Sequence, residues 1–209
     1  MMGDRLLTKA IAEHFIRAPE EVDLAEFNQI DVDAAEVLSA HKGVLDLNGV
    51  NSLSAEAATA LSRHTEYALN LNGLAPLSHA CAVALGKHCG TLSLDGVTSL
   101  SFTEATNLGH HDGDLYLVNL RELPPKHAAA LARNRGDLYL DGLSTLTEEA
   151  AHALGAHSGV LGLNGLTKLD AAAAEALIQH DDPIEMDLSE LYDDEVVEIL
   201  RLHPSLHDE

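Results

Sequence analysis

Seven histidines recur at one fixed place along the chain: His41, His64, His88, His111, His157, His180 and His203, with Asn134 taking the remaining position. Imidazole ligates metals and titrates near neutral pH, so a stack of such rings could serve as a metal ladder. The placement favours a structural use. Each ring lies three residues after an invariant Leu and so shares the inward face of its helix. It also falls at the helix C-terminus, where a ring N–H can bond free carbonyls. Asn134 donates such a bond equally well but is a poor metal ligand, and the rings show no ligand-spacing motif. The one local His/acid cluster, His110-His111-Asp112, borrows a member from the column. No metal site is therefore expected.

A second column, Asn48, Asn72, Asp95, Asp141 and Asn164, precedes a turn glycine in each unit. Carboxylates could hold calcium, but Val118 separates Asp95 from Asp141 and no Gly-rich calcium repeat is present. Turn capping by Asx side chains is the expected use. Catalytic signatures are absent: no Gly-x-Ser-x-Gly, His-Glu-x-x-His, phosphate loop or dinucleotide fingerprint occurs. No enzyme and no cofactor are expected. Cys81 and Cys89 fall in one helical unit. Eight residues of helix rise roughly 12 Å, too far for a disulfide.

Composition narrows the partners. With 12 basic against 34 acidic residues the net charge is −22, which argues against nucleic acid and anionic membrane surfaces. A solvated, self-repelling surface explains the charge; a basic protein partner is the sharper reading. Two free thiols point to a reducing compartment, and a cytoplasmic location is expected. The N-terminus has no signal-type apolar core, and no run of 18 apolar residues occurs.

These residues are positioned by a repeat. Strand starts are expected at Val22, Leu45, Leu69, Leu92, Leu115, Leu138, Leu161 and Ile184, with steps of 23 residues and a single step of 24. The extra residue lies between His64 and Leu69. A fixed period in the twenties is the signature of a solenoid. Each unit has an alternating apolar strand, such as Leu138 and Leu140, then a turn with Gly49, Gly73, Gly96, Gly142 or Gly165. Asn119 takes this place in one unit, and Gly with Asn as its substitute predicts a positive φ. Helices are expected to start at Asp31, Ser54, Ser78, Ser101, Pro124, Thr147, Asp170 and Asp193. They carry Leu38, Leu61, Leu85, Leu108, Leu131, Leu154, Leu177 and Leu200 in one column, with Ala three residues earlier in all but the last. Residues 1–21 are expected to form an N-terminal capping helix running from Asp4 to Arg17, residues 22–203 eight repeats, and 204–209 a tail.

Short connections in every unit make the strands parallel, with the helices on one side. Strands spaced about 4.8 Å apart and helices about 10 Å wide bend the array into an arc with the strands inside. The pattern L-x-L-x-G-L-x-x-L followed by an Ala-rich helix resembles the leucine-rich repeat proteins, in a bacterial-type variant of 23 residues. The familiar Asn column of that family is replaced here by Phe27, Val50, Leu74, Val97, Leu120, Leu143 and Leu166. The resemblance implies an α/β right-handed solenoid with a concave parallel sheet, convex helices and protein recognition on the concave face.

Departures from the repeat mark the candidate site. Outward strand residues are Asp23, Asp46, Asn70, Ser93, Tyr116, Tyr139, Gly162 and Glu185. Two adjacent tyrosines, Tyr116 and Tyr139, with Val118, Asp95, Asp114, Asp137 and Asp141 around them, are the expected partner-binding residues. A cross-strand aromatic pair that only steadies the sheet is the competing use. Three functions remain open: a protein-interaction scaffold whose partner carries basic residues, a structural spacer of a larger bacterial assembly, and a metal-binding His-rich module.

Overall fold

The computed structural model describes residues 5–65 and 67–207. Asp4, the expected start of the first helix, lies outside these residues, as do the remainder of residues 1–4 and the last two residues of the 204–209 tail. The repeating units run β3 (Leu45–Asp46), α3 (Ala55–Leu61), β4 (Leu69–Asn70), α4 (His79–Leu85), β5 (Leu92–Ser93), α5 (Phe102–Leu108), β6 (Leu115–Tyr116) and α6 (Pro125–Leu131). They continue through β7 (Leu138–Tyr139), α7 (Glu148–Leu154), β8 (Leu161–Gly162), α8 (Ala171–Leu177), β9 (Ile184–Glu185) and α9 (Asp194–Leu200). Strands β3 to β9 form one seven-stranded parallel sheet in sequence order. Each helix packs on its sequence neighbours. The chain is an α/β repeat solenoid, and none of its described helices is long and apolar enough to cross a membrane.

Local chemistry sets each helix. All eight expected start residues, from Asp31 to Asp193, are helix N-caps. Asp31 accepts from the Ala34 N–H and Asp170 from the Ala173 N–H at 2.8 Å. Ser101 and Glu104 close a reciprocal capping box. Pro124 makes no side-chain cap, but Pro125 costs nothing at a first helical position. The Leu column is fully buried in every unit, and so is the Ala column up to Ala174. Leu fills the space between sheet and helices, while Ala lets neighbouring helices approach. The last unit has Val197 in the Ala column, at the end of the array.

The leading unit departs from expectation. Val22 does not begin a strand. Pro19–Glu21 and Leu24–Glu26 are 3-10 turns, and the Asp23 carboxylate folds back onto the Ala25 N–H at 3.0 Å. That local bond competes with an extended ladder. Leu24 is nonetheless buried, at the place Leu47 holds one unit later. Within the expected first helix, Leu6–Leu7 is instead strand β1, paired parallel with β2 (Gln29–Ile30). Helix α1 (Lys9–Arg17) follows it and packs on α2 (Val32–Leu38).

The tail is ordered too, as far as His207. Pro204–Leu206 is a 3-10 turn, and Ser205 Oγ accepts from the Ile184 N–H at 2.9 Å. The turn thus covers the edge of β9, a position otherwise open to edge pairing.

The turn glycines serve close approach rather than a positive φ. Gly73 does not adopt one, and a Cβ there would collide with the carbonyl oxygen of Asn48 in the preceding unit. Asn119 solves the same problem differently: its Nδ2 donates to the Asp95 carbonyl at 2.8 Å.

Replacing Leu131 by Ala should cost about 2–5 kcal/mol in urea unfolding, as for a buried Leu that leaves a cavity. A loss below about 0.5 kcal/mol would show that the column is not core.

Candidate functional site

The histidine column forms a seam between units. Six of its seven histidines are buried and the first, His41, is half-buried; His64, His88 and His111 are fully enclosed. His64 Nε2 lies 2.9 Å from the Gly43 carbonyl, His111 Nε2 2.9 Å from Gly90, and His180 Nε2 2.9 Å from Gly159. A carbonyl only accepts, so Nε2 carries the proton in each ring. Asn134 Nδ2 does the same to Gly113 at 3.0 Å. Among the described residues these four are the glycines with positive φ, at 155°, 128°, 148° and 118°. The left-handed turn aims each carbonyl at the ring or amide of the following unit. The expected bond to free carbonyls is therefore present, but its acceptor lies one unit away.

Where the loop offers no glycine with a positive φ, the bond changes. The loop with the extra residue contains none, and His88 has both ring nitrogens without a partner among the described residues. His157 uses Nδ1 toward the Ala132 carbonyl at 3.3 Å, and His203 uses Nε2 toward His180 at 2.9 Å. The rings stack face to face, with centroids 5.9 Å apart for His64 and His88 and 5.7 Å for His88 and His111. Among the described residues, no group of three His, Cys, Asp or Glu is placed to hold a metal ion.

The sheet face is the other candidate surface. Tyr116 and Tyr139 are register partners on β6 and β7, stacked with centroids 4.3 Å apart and planes inclined by 13°. Burial, and after it the charge of Asp114, Asp137 and Glu185, raises the Tyr116 phenol above its ordinary value. Burial and its hydrogen bond with Tyr116 raise Tyr139 as well. Both rings therefore remain neutral phenols at physiological pH. Ser93, on the near side of Tyr116, is buried and donates to Asn72 Oδ1 at 2.7 Å.

The flanking carboxylates have structural partners. Asp114 Oδ1 accepts the Asp137 N–H at 3.1 Å, and Asp137 Oδ1 the Val160 N–H at 2.8 Å. Asp95 accepts the Val118 N–H at 3.4 Å, and Asp141 the Asn164 N–H at 2.9 Å. Asn48 and Asn72 hold the N–H groups of Asn72 and Asp95 at 3.0 and 2.9 Å. The Asx column is thus a ladder between units, not a set of local turn caps. Val118 lies on the same face and interrupts it, having no side-chain acceptor. Glu185, absent from the expected site, stands in the tyrosine column on β9, and its charge reaches both phenols. Its signal in the sequence was its place in that column beyond Gly162.

Across β3 to β9, the three outward columns at the residues before, within and after each strand hold seven acids and no Lys or Arg. Asp46, Asp187 and Glu185 join the four named above. The two cysteines are free, Cys81 buried on α4 and Cys89 exposed in the following loop.

The buried rings make stability depend on pH. Burial, with smaller repulsion from neighbouring rings, lowers His88 from 6.5 to about 4. Burial also lowers His64, His111 and His157. Between these folded values and 6.5 the unfolded chain binds more protons, so stability is complete above about 6.5 and falls as the pH drops toward 4. His88 alone accounts for about 3 kcal/mol of that loss. Thermal melts from pH 7.5 to 4 should show it; a flat profile would contradict it. His157→Asn should be mild, because Asn134 already works in that column, and His157→Leu should be worse by about 1–3 kcal/mol. Zinc bound tightly and lost in both variants would overturn the structural role.

No protein-family model matches the chain, and no curated protein matches its sequence.

Proposed function

We propose that the protein is a non-enzymatic scaffold of the leucine-rich-repeat kind, which binds a basic protein partner on the sheet face around Tyr116 and Tyr139. The observation that carries this reading is the charge and aromatic content of that face: seven acids, a stacked tyrosine pair and no basic residue in three columns. Repeat columns hold structural residues constant, so two bulky rings in a column otherwise filled by Asp, Asn, Ser, Gly and Glu need a reason of their own. Tyrosine offers contact area at small entropic cost and keeps a polar tip. The carboxylates draw in Lys and Arg and speed encounter at low salt. The free thiols support a reducing, cytoplasmic setting.

A structural spacer is the competing reading. It draws on the backbone N–H groups that Asp95, Asp114, Asp137 and Asp141 already hold.

The Tyr116→Ala, Tyr139→Ala double variant separates the two. Its stability should fall by no more than about 1.5 kcal/mol, the worth of an aromatic pair. Peptides selected from a random library on the parent protein, and counter-selected on the variant, should be rich in Lys and Arg. They should bind the variant at least about 2 kcal/mol more weakly. A selection with no basic consensus, or peptides that bind both proteins alike, would contradict the scaffold reading. A variant that unfolds would make the tyrosines a stability element.

A further inference from the structure

Successive helices meet in one pattern along the array. The groove between α2 and α3 is lined by Val32 and Glu36 of the first helix and by Glu56, Ala60 and Arg63 of the second. The groove between α5 and α6 uses the same positions: Phe102 and Thr106, then Lys126, Ala130 and Arg133. Counted from the N-cap, the first and fifth residues of one helix face the second, sixth and ninth of the next.

The outermost helices each have a packed neighbour on one side: α2 for α1, and α8 for α9. On its open side α9 presents its first and fifth residues, Asp194 and Glu198, both exposed. On its open side α1 presents its second, sixth and ninth, Ala10, His14 and Arg17, with Lys9 beside them and Glu13 as its one acid. Acids on one end thus stand at the repeat positions that meet bases on the other. Glu198 and His14 also pair within the chain, with Arg201 and Glu21, but these pairs are exposed and weak.

The apolar layer is open on the same two sides. The Ala column, fully buried from Ala35 to Ala174, continues as Val197, which is only half-buried. At the other end Ile11 is half-buried and lines a groove of about 390 Å³ with Val22 and Phe27, which stand in the columns of Leu45 and Val50. The tail turn Pro204–Leu206 stands one strand position beyond β9, where Ser205 bonds both backbone groups of Ile184.

We propose that copies of this chain stack head to tail, with α9 and the tail turn of one copy seated on α1 and the groove of the next. The register is the one that joins neighbouring units within the array. Tail-to-tail pairing would oppose Asp194 and Glu198 to themselves, so the heterologous contact is the favoured one, and it builds chains or rings of copies. The net charge of −22 repels the copies and keeps the contact weak. The sheet face stays free, so the inference does not rest on what that face binds.

Sedimentation velocity of the full chain from about 10 μM to 1 mM, in about 0.15 M salt, should show species growing beyond the dimer. The variant Lys9→Glu with Arg17→Glu should weaken this association at least about ten-fold, and so should Asp194→Lys with Glu198→Lys. An equimolar mixture of the two should regain it, because each altered end then meets an end of opposite charge. Both variants stay strongly acidic overall, so general attraction would not explain the recovery. Should a double variant fail to fold by circular dichroism, the singles Lys9→Glu and Asp194→Lys carry the same comparison. A parent that stays monomeric throughout, variants that assemble as the parent does, or a mixture that stays monomeric would each overturn the proposal.

Discussion

The hydrogen bond from a buried imidazole or amide to the carbonyl of the preceding unit's loop glycine is the constraint on which the array depends. A single unit of this kind cannot bury its own apolar face and is stable only against a neighbour. Leu and Ala columns supply the burial, but apolar contact is non-directional. The bonds from His64, His111, Asn134 and His180 to Gly43, Gly90, Gly113 and Gly159 fix how one unit sits on the next. The partners are matched: each of the four positive-φ glycines delivers its carbonyl to the following ring or amide. Where the loop has no glycine, neither ring nitrogen of His88 has a partner among the described residues, in a fully enclosed site. An orphaned polar group of this kind costs free energy, and its burial makes the charged form costlier still.

The same logic divides the sheet face. Side-chain oxygens of Asn48, Asn72, Asp95, Asp114, Asp137 and Asp141 stitch successive backbones together at the strand flanks. In the middle column Ser93 shares that task by donating to Asn72, and the strands that follow leave it. There the chain carries Tyr116, Tyr139, Gly162 and Glu185, residues whose sizes and charges vary as a recognition surface would vary. An acidic ladder thus serves two ends at once: it holds the units in register and leaves the face negatively charged.

Much of this was legible in the sequence because the repeat puts each structural residue in a column. The N-caps, the buried Leu and Ala series, the strand starts from Leu45 onward and the pairing of Tyr116 with Tyr139 all follow from counting by 23. What escaped was any contact whose partner lies one unit away. Gly73 looked like a residue chosen for its φ, but it is chosen because the Asn48 carbonyl leaves no room for a Cβ. Asp114 and Asp137 looked like free surface acids, yet each holds a backbone N–H 23 residues on. Val22 looked like a strand by its spacing, and a local bond from Asp23 overrode the pattern.

The most direct test of the interlock is the protonation state of the rings themselves. Nitrogen-15 NMR of the imidazoles at neutral pH should show His64, His111 and His180 as neutral rings with the proton on Nε2, together with through-bond coupling from that nitrogen to the carbonyl carbons of Gly43, Gly90 and Gly159. Imidazolium rings, or neutral rings with the proton on Nδ1 and no such coupling, would contradict it.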